Sequence, residues 1–95
     1  MILDLNSLKQ ELRVDIDDDD ERILKTMNHA VAIVLDFLKV SETEYTNSSG
    51  DNDFPEIIYA AIIRVAMSMY DYPEKDPLTE AVRSMLHRSR DPALA

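Results

Sequence analysis

The residues that could do chemistry in this chain are few, and the most suggestive are alternating acids near the N-terminus. Asp15, Asp17 and Asp19 have the alternate spacing at which a calcium-binding loop places its carboxylate ligands. Such a loop requires Gly at its sixth position and Glu at its twelfth, but Asp20 and Thr26 stand there. A frame that begins two residues later fails in the same way. We therefore interpret the acids as the charged beginning of a helix and predict no metal site.

Catalytic and cofactor-binding patterns are equally weak. The two histidines, His29 and His87, belong to no HExxH motif and have no paired ligand at helical spacing. Ser49 precedes the single glycine, but it lies in neither a GxSxG motif nor a glycine-rich phosphate loop. We predict that the chain is not an enzyme and that it uses no cofactor.

The amino-acid composition disfavours several other classes of function. The 95 residues include 10 Lys and Arg, 19 Asp and Glu, and no Cys, for a net charge of −9. This length predicts a single domain over residues 1–95, and the absence of Cys excludes disulfides and fits a reducing compartment. The net charge disfavours binding to nucleic-acid backbones and to anionic membranes. The longest apolar runs are too short to span a bilayer, and the N-terminus lacks the basic region of a signal peptide, so we expect a cytoplasmic protein.

The apolar spacing predicts an all-α fold, a small bundle of about four helices with no substantial strand. We expect a short helix Leu5–Leu12 capped by Asp4, and a long helix over residues 18–39. A third helix is expected from Pro55 to Tyr70, and a fourth from Pro77 to Ser89 with Asp76 as its N-cap. The polar segment 41–53 is expected to be a mobile loop, and residues 91–95 a frayed tail.

The third predicted helix is apolar on more sides than a core face requires. Ile57, Tyr59 and Ile63 extend its apolar surface beyond the inward stripe. Met67 points away from that stripe, and a flexible methionine suits an adaptable contact. Such a helix is either central in the domain or covered by another subunit. We therefore propose these four residues as candidate contacts.

Opposite charges gather at two helix ends. Residues 1–53 carry a net charge of −8 and residues 54–95 only −1. The acids at the start of the long helix are Asp17, Asp18, Asp19, Asp20 and Glu21, and the bases near the end of the last helix are Arg83, Arg88 and Arg90. One interpretation is that each set complements its own helix dipole. The other is a contact between neighbouring copies, acidic end to basic end, which closes into a ring when the rotation permits.

Three stretches, taken in order, resemble the head–tail connector (head-completion or adaptor) proteins of tailed bacteriophages and prophages, which are gp6-like. The first is the capped short helix and its continuation over residues 5–15, with the pattern L-x-x-L-K-x-x-L-R. The second is the acidic run into the long helix over residues 18–24. The third is the helix of residues 55–63, of the pattern P-x-x-hydrophobic-x-x-A-I, which reaches an aromatic at Tyr70. The resemblance covers about residues 3–90.

This resemblance implies a structural virion protein. It would assemble as a ring of the dodecameric type under the portal after DNA packaging, and would dock neck or tail components. Its partners would be copies of itself, the portal, and neck and tail proteins, with assembly in the host bacterial cytoplasm. Because DNA could pass through such a ring, an acidic lumen lined by residues 17–21 would repel phosphate and limit sticking.

The alternative is an acidic helical binding module, either a DNA mimic or a regulator that masks a basic protein surface. A mimic should spread its acids over one face at separations like those of phosphates. Five of the acids here cluster at one helix start instead. This clustering favours the connector interpretation.

Overall fold

The computed structural model describes residues 1–14 and 19–90. This part of the chain holds four α-helices: α1 (Leu5–Leu12), α2 (Asp20–Leu38), α3 (Glu56–Asp71) and α4 (Glu80–Arg90). Two very short strands, β1 (Ile2–Leu3) and β2 (Asn52–Asp53), pair antiparallel. The predicted fold class, a small helical bundle, is therefore confirmed. The predicted tail, residues 91–95, lies outside the described residues.

The first helix begins and ends where the sequence predicts. The Asp4 carboxylate accepts the backbone N–H of Ser7 at 2.8 Å, and the Ser7 hydroxyl oxygen accepts the N–H of Asp4 at 3.0 Å. This reciprocal pair satisfies N–H groups that the first turn leaves free. At the other end, Arg13 has φ 59°, a left-handed conformation that stops the helix. The side chain of Leu8, on this helix, is fully buried in the core.

The long helix contributes as many buried residues to the core as α3 does. A stripe of apolar residues at helical spacing is buried throughout: Ile23, Met27, Ala30, Val34 and Leu38. The described part of the helix begins at Asp20 and ends one residue before the predicted end, because Lys39 is left-handed with φ 58°. The stripe packs against α3, which packs in turn against α4, and α1 lies against α2. The part of the chain that the structure describes has no helix that is long and apolar enough to cross a membrane.

The last two helices begin later than predicted. Pro55 stands before α3 as its N-cap and not as its first helical residue, and its carbonyl accepts the N–H of Tyr59. The fourth helix was predicted from Pro77 but begins at Glu80, which corrects the assignment of Asp76 as its N-cap. The Asp76 carboxylate instead accepts the N–H of Leu78 at 2.9 Å, closing a local turn before the helix.

The cap of α4 is supplied by the residue directly before it. The Thr79 hydroxyl accepts the N–H of Val82 at 3.3 Å. Val82 and Leu86 then bury one side of the helix against the core. Ala81, beside Val82 in the chain, is exposed.

The polar segment between α2 and α3 contains local structure. A 3-10 helix covers Glu42–Tyr45, and the Asn47 side chain accepts the N–H groups of Ser49 and Asp51. Gly50 has φ 84° in the turn that follows, a conformation that favours glycine. Phe54 is buried beyond the turn, and its N–H donates to the Met1 carbonyl at 2.9 Å. The mobility of this segment stays a prediction.

Candidate functional site

The acidic beginning of α2 is tied to the end of α3. The Tyr70 hydroxyl donates to Asp19 Oδ2 at 2.9 Å. Arg22 lies over the Tyr70 ring, with its Cζ 4.5 Å from the ring centroid, and its Nη2 donates to the Tyr70 carbonyl at 3.2 Å. Arg22 Nη1 is also 3.8 Å from Asp19 Oδ2. Tyr70 therefore contacts both an acid, Asp19, and a base, Arg22, at the beginning of α2.

This arrangement perturbs the phenol of Tyr70. The hydrogen bond to Asp19 raises the pKa of Tyr70 above its ordinary 10.0, because the negative carboxylate favours the protonated hydroxyl. Burial and the charges of Asp19 and Asp71 act in the same direction, and the cation of Arg22 opposes them. The hydroxyl therefore remains a hydrogen-bond donor throughout the neutral pH range.

A second contact ties the same end of α2 to α1. Lys9 Nζ lies 2.6 Å from Asp20 Oδ1, and the Lys9 side chain is only 12% exposed. Two of the five acids predicted as intersubunit contacts, Asp19 and Asp20, are therefore engaged within the chain. Glu21 is exposed, while Asp17 and Asp18 lie outside the described residues. The prediction that the five acids contact a neighbour is not tested by these internal contacts.

Basic side chains of α4 flank an aromatic side chain of α2. Arg83 Nε donates to the Leu78 carbonyl at 2.9 Å, and its guanidinium lies 5.7 Å from the centroid of Phe37. The His87 ring meets Phe37 edge-on at a centroid distance of 5.5 Å. Arg88 is exposed. Arg90 is the last residue of the helix, and its side chain lies outside the described part.

The outer face of α3 forms one wall of an open groove of about 640 Å³. Three of the four predicted apolar contacts, Tyr59, Ile63 and Met67, line it. Tyr59 and Ile63 are only 7% and 6% exposed, so the fold itself covers most of both side chains. Met67 is 38% exposed. Ile57 is half-buried against the core and does not line the groove.

Sequence reasoning missed the polar residues of this groove. Glu56, Ala60, Arg64 and Ser68 follow one face of α3 at intervals of four residues. The remaining lining residues come from other elements: Met1, Glu11, Pro77, Thr79 and Val82. The four-residue spacing is visible in the sequence, but it marks an exposed face only once the opposite side of α3 is known to be buried.

The histidines do not form a ligand set. His29 is exposed on α2, and His87 contacts Phe37. Within the described ranges, 1–14 and 19–90, no group of three or more His, Cys, Asp or Glu residues is placed to hold a metal ion.

Comparison with known proteins identifies the family. The family described as phage gp6-like head-tail connector protein matches residues 2–90 of the chain. No curated protein matches, and neither does any solved structure. The family is one of structural proteins of the virion head–tail junction, where they interact with other head and tail proteins. The chain belongs to the phage gp6-like head–tail connector protein family.

Proposed function

We propose that copies of this chain assemble into a ring under the portal after DNA packaging, and that the ring docks the next neck or tail component. Assembly takes place in the host bacterial cytoplasm, and packaged DNA passes through the ring. Function then resides in self-association and docking and requires no catalytic residue. The family match over residues 2–90 supports the connector role.

The observation that carries the self-association proposal is the groove on α3. The wall that α3 contributes includes the apolar side chains of Tyr59, Ile63 and Met67, and the volume of the groove is about 640 Å³. A groove with an apolar wall is typical of a surface that another chain covers. In a ring the partner surface is a different patch of the neighbouring copy, because contacts between different patches propagate head to tail.

Charge separation supports the same arrangement. Arg88 and Arg90 lie in the last turn of α4 and Arg83 lies in its first turn, while residues 17–21 precede or begin α2. In a ring, the net negative charge of one copy attracts the basic end of the next. Residues 17–21 would line the lumen if they face the passing DNA, where they would repel its phosphates.

The first test is the mass of the purified chain in solution, measured by light scattering over a range of protein and salt concentrations. A large closed species that persists on dilution supports the ring. Loss of this species at high salt assigns the contact to charged groups. A chain that stays monomeric is then mixed with its portal, and failure to associate there contradicts the connector proposal.

A matched pair of variants tests the basic end. Arg88→Glu combined with Arg90→Glu is expected to weaken assembly more than Lys39→Glu does, although Lys39 is also exposed. Equal effects would show that the basic end makes no contact. Binding to a basic protein without self-assembly would favour the acidic binding module instead.

A further inference from the structure

The groove on α3 carries two opposite charges along one side of the helix. Glu56 and Arg64 both line it and are both exposed. They are eight residues apart, which places them on the same side of the helix and about 12 Å apart along its axis. Ala60, midway between them, leaves space at the centre of this face. Within residues 1–14 and 19–90, neither Glu56 nor Arg64 has an ion-pair partner.

The outer face of α4 repeats this arrangement. Glu80 and Arg88 are also eight residues apart and exposed, and the exposed Ser84 lies midway between them. Val82 and Leu86 are buried on the opposite side of the helix, where α4 packs against α3 of its own chain. The outer face therefore points away from the chain. In the described part of the chain, Glu80 and Arg88 make no ion pair either.

We propose that α4 of a neighbouring copy lies antiparallel on α3, in the groove. Arg88 of the neighbour then lies at Glu56, Glu80 of the neighbour at Arg64, and Ser84 over Ala60. The antiparallel direction follows from the charges, because a parallel arrangement would place Glu80 at Glu56 and Arg88 at Arg64. This inference rests on the proposed self-association and identifies the two surfaces that meet.

A second copy is the occupant that the chain's own chemistry favours. The equal eight-residue spacing on both helices lets two charge pairs form at once, and small residues at the centre allow the helices to approach closely. The groove carries a second acid, Glu11, which also attracts the basic end of α4. Asp19 and Asp20 are less suitable acceptors for Arg88, because Tyr70 and Lys9 already occupy them.

Charge reversal tests the pairing. We expect Glu56→Arg alone and Arg88→Glu alone each to weaken self-association about tenfold or more, because each places like charges together. The double variant, with both changes, restores association, because the pair re-forms with its signs exchanged. Glu21→Arg combined with Arg88→Glu is the matched control and should not restore it. Restoration by Glu21→Arg and not by Glu56→Arg would overturn the proposal.

Disulfide trapping gives a second, independent measurement. The chain has no cysteine, so an introduced pair is unambiguous. Copies carrying Ala60→Cys are mixed with copies carrying Ser84→Cys and oxidised, and a covalent dimer is expected. Asn28→Cys, at an exposed position on α2, replaces Ala60→Cys in the control mixture and should give little product. Circular dichroism checks that each variant is folded.

The two proposals fail in different ways. A ring in light scattering without the 60–84 disulfide would overturn this contact and leave the ring itself standing. A 60–84 disulfide in a chain that forms only dimers would support the contact and contradict the ring. The absence of both ring and disulfide, at every concentration and with the portal present, would overturn both.

Discussion

The hydroxyl of Tyr70 donates to the carboxylate of Asp19 at 2.9 Å and thereby joins the end of α3 to the residue before α2. These residues are 51 positions apart in the chain. The guanidinium of Arg22 lies over the face of the Tyr70 ring. This contact fixes the acidic beginning of α2 beside the helix that carries the groove. Asp19 and the first turn of α2 are therefore held by the fold at a defined place.

Removing the phenol hydroxyl is expected to destabilise the chain. Tyr70→Phe keeps the ring beneath Arg22 but leaves Asp19 without its hydrogen-bond donor. The urea midpoint of unfolding should fall. Tyr72→Phe is the matched control, because Tyr72 is exposed and its hydroxyl makes no hydrogen bond within the described residues. Equal midpoints for the two variants would show that the Tyr70–Asp19 bond contributes nothing.

The same bond predicts a pH dependence. Because Asp19 raises the pKa of Tyr70 above 10.0 in the folded chain, its stabilising effect is present below pH 10.0. It is lost as the pH rises through the raised pKa, where the hydroxyl loses its proton. The difference in unfolding free energy between wild type and Tyr70→Phe should therefore shrink at alkaline pH. A difference that grows at alkaline pH would contradict this assignment. Denaturation curves at neutral and alkaline pH measure it.

The ion pair between α1 and α2 should also contribute to stability. Lys9→Met keeps most of the side-chain volume in a site that is only 12% exposed, but it removes the cation beside Asp20. We expect a loss of about 1–3 kcal/mol, because the carboxylate loses its charged partner. Lys25→Met on the exposed side of α2 should change stability little. Chemical denaturation of both variants distinguishes the two sites, and an equally small change in both would rule out the contribution.

The beginning of α4 can be tested by capping variants. Thr79→Ala removes the hydroxyl that accepts the N–H of Val82 and should cost about 1 kcal/mol. Thr79→Ser keeps the hydroxyl and should restore most of this loss. Thermal unfolding followed by circular dichroism measures both. If Thr79→Ala and Thr79→Ser behave alike, the hydroxyl is not the cap.

The core of the bundle depends on the inward face of α3. Ile62 is fully buried, so Ile62→Ala should destabilise the chain by about 2–5 kcal/mol through lost burial and the cavity left behind. Leu24 is 42% exposed, and Leu24→Ala should cost no more than about 1 kcal/mol. Urea denaturation compares the two. A smaller loss at Ile62 than at Leu24 would contradict the observed burial.

Much of the fold was predictable, because it follows from periodic spacing and local capping. The first helix has its predicted bounds, Leu5–Leu12, since its cap at Asp4 and its apolar face are both local in sequence. The beginning of α4 was not predictable in the same way. Asp76 and Thr79 are both good caps, and which of them begins the helix depends on how the turn before it packs.

The amino-acid sequence by itself determined the helical class, the inward stripes, the excess of acids over bases and the resemblance to the connector family. These depend on residue type and on spacing within one element. Only the tertiary structure decided which exposed or charged residues meet. In the folded chain, Asp19 contacts Tyr70 and Asp20 contacts Lys9. Most of the surface of Tyr59 and Ile63 is buried. Glu56 and Arg64 are exposed and line the groove. The physical reason is that contacts between residues far apart in the chain depend on how helices pack, which local periodicity does not specify.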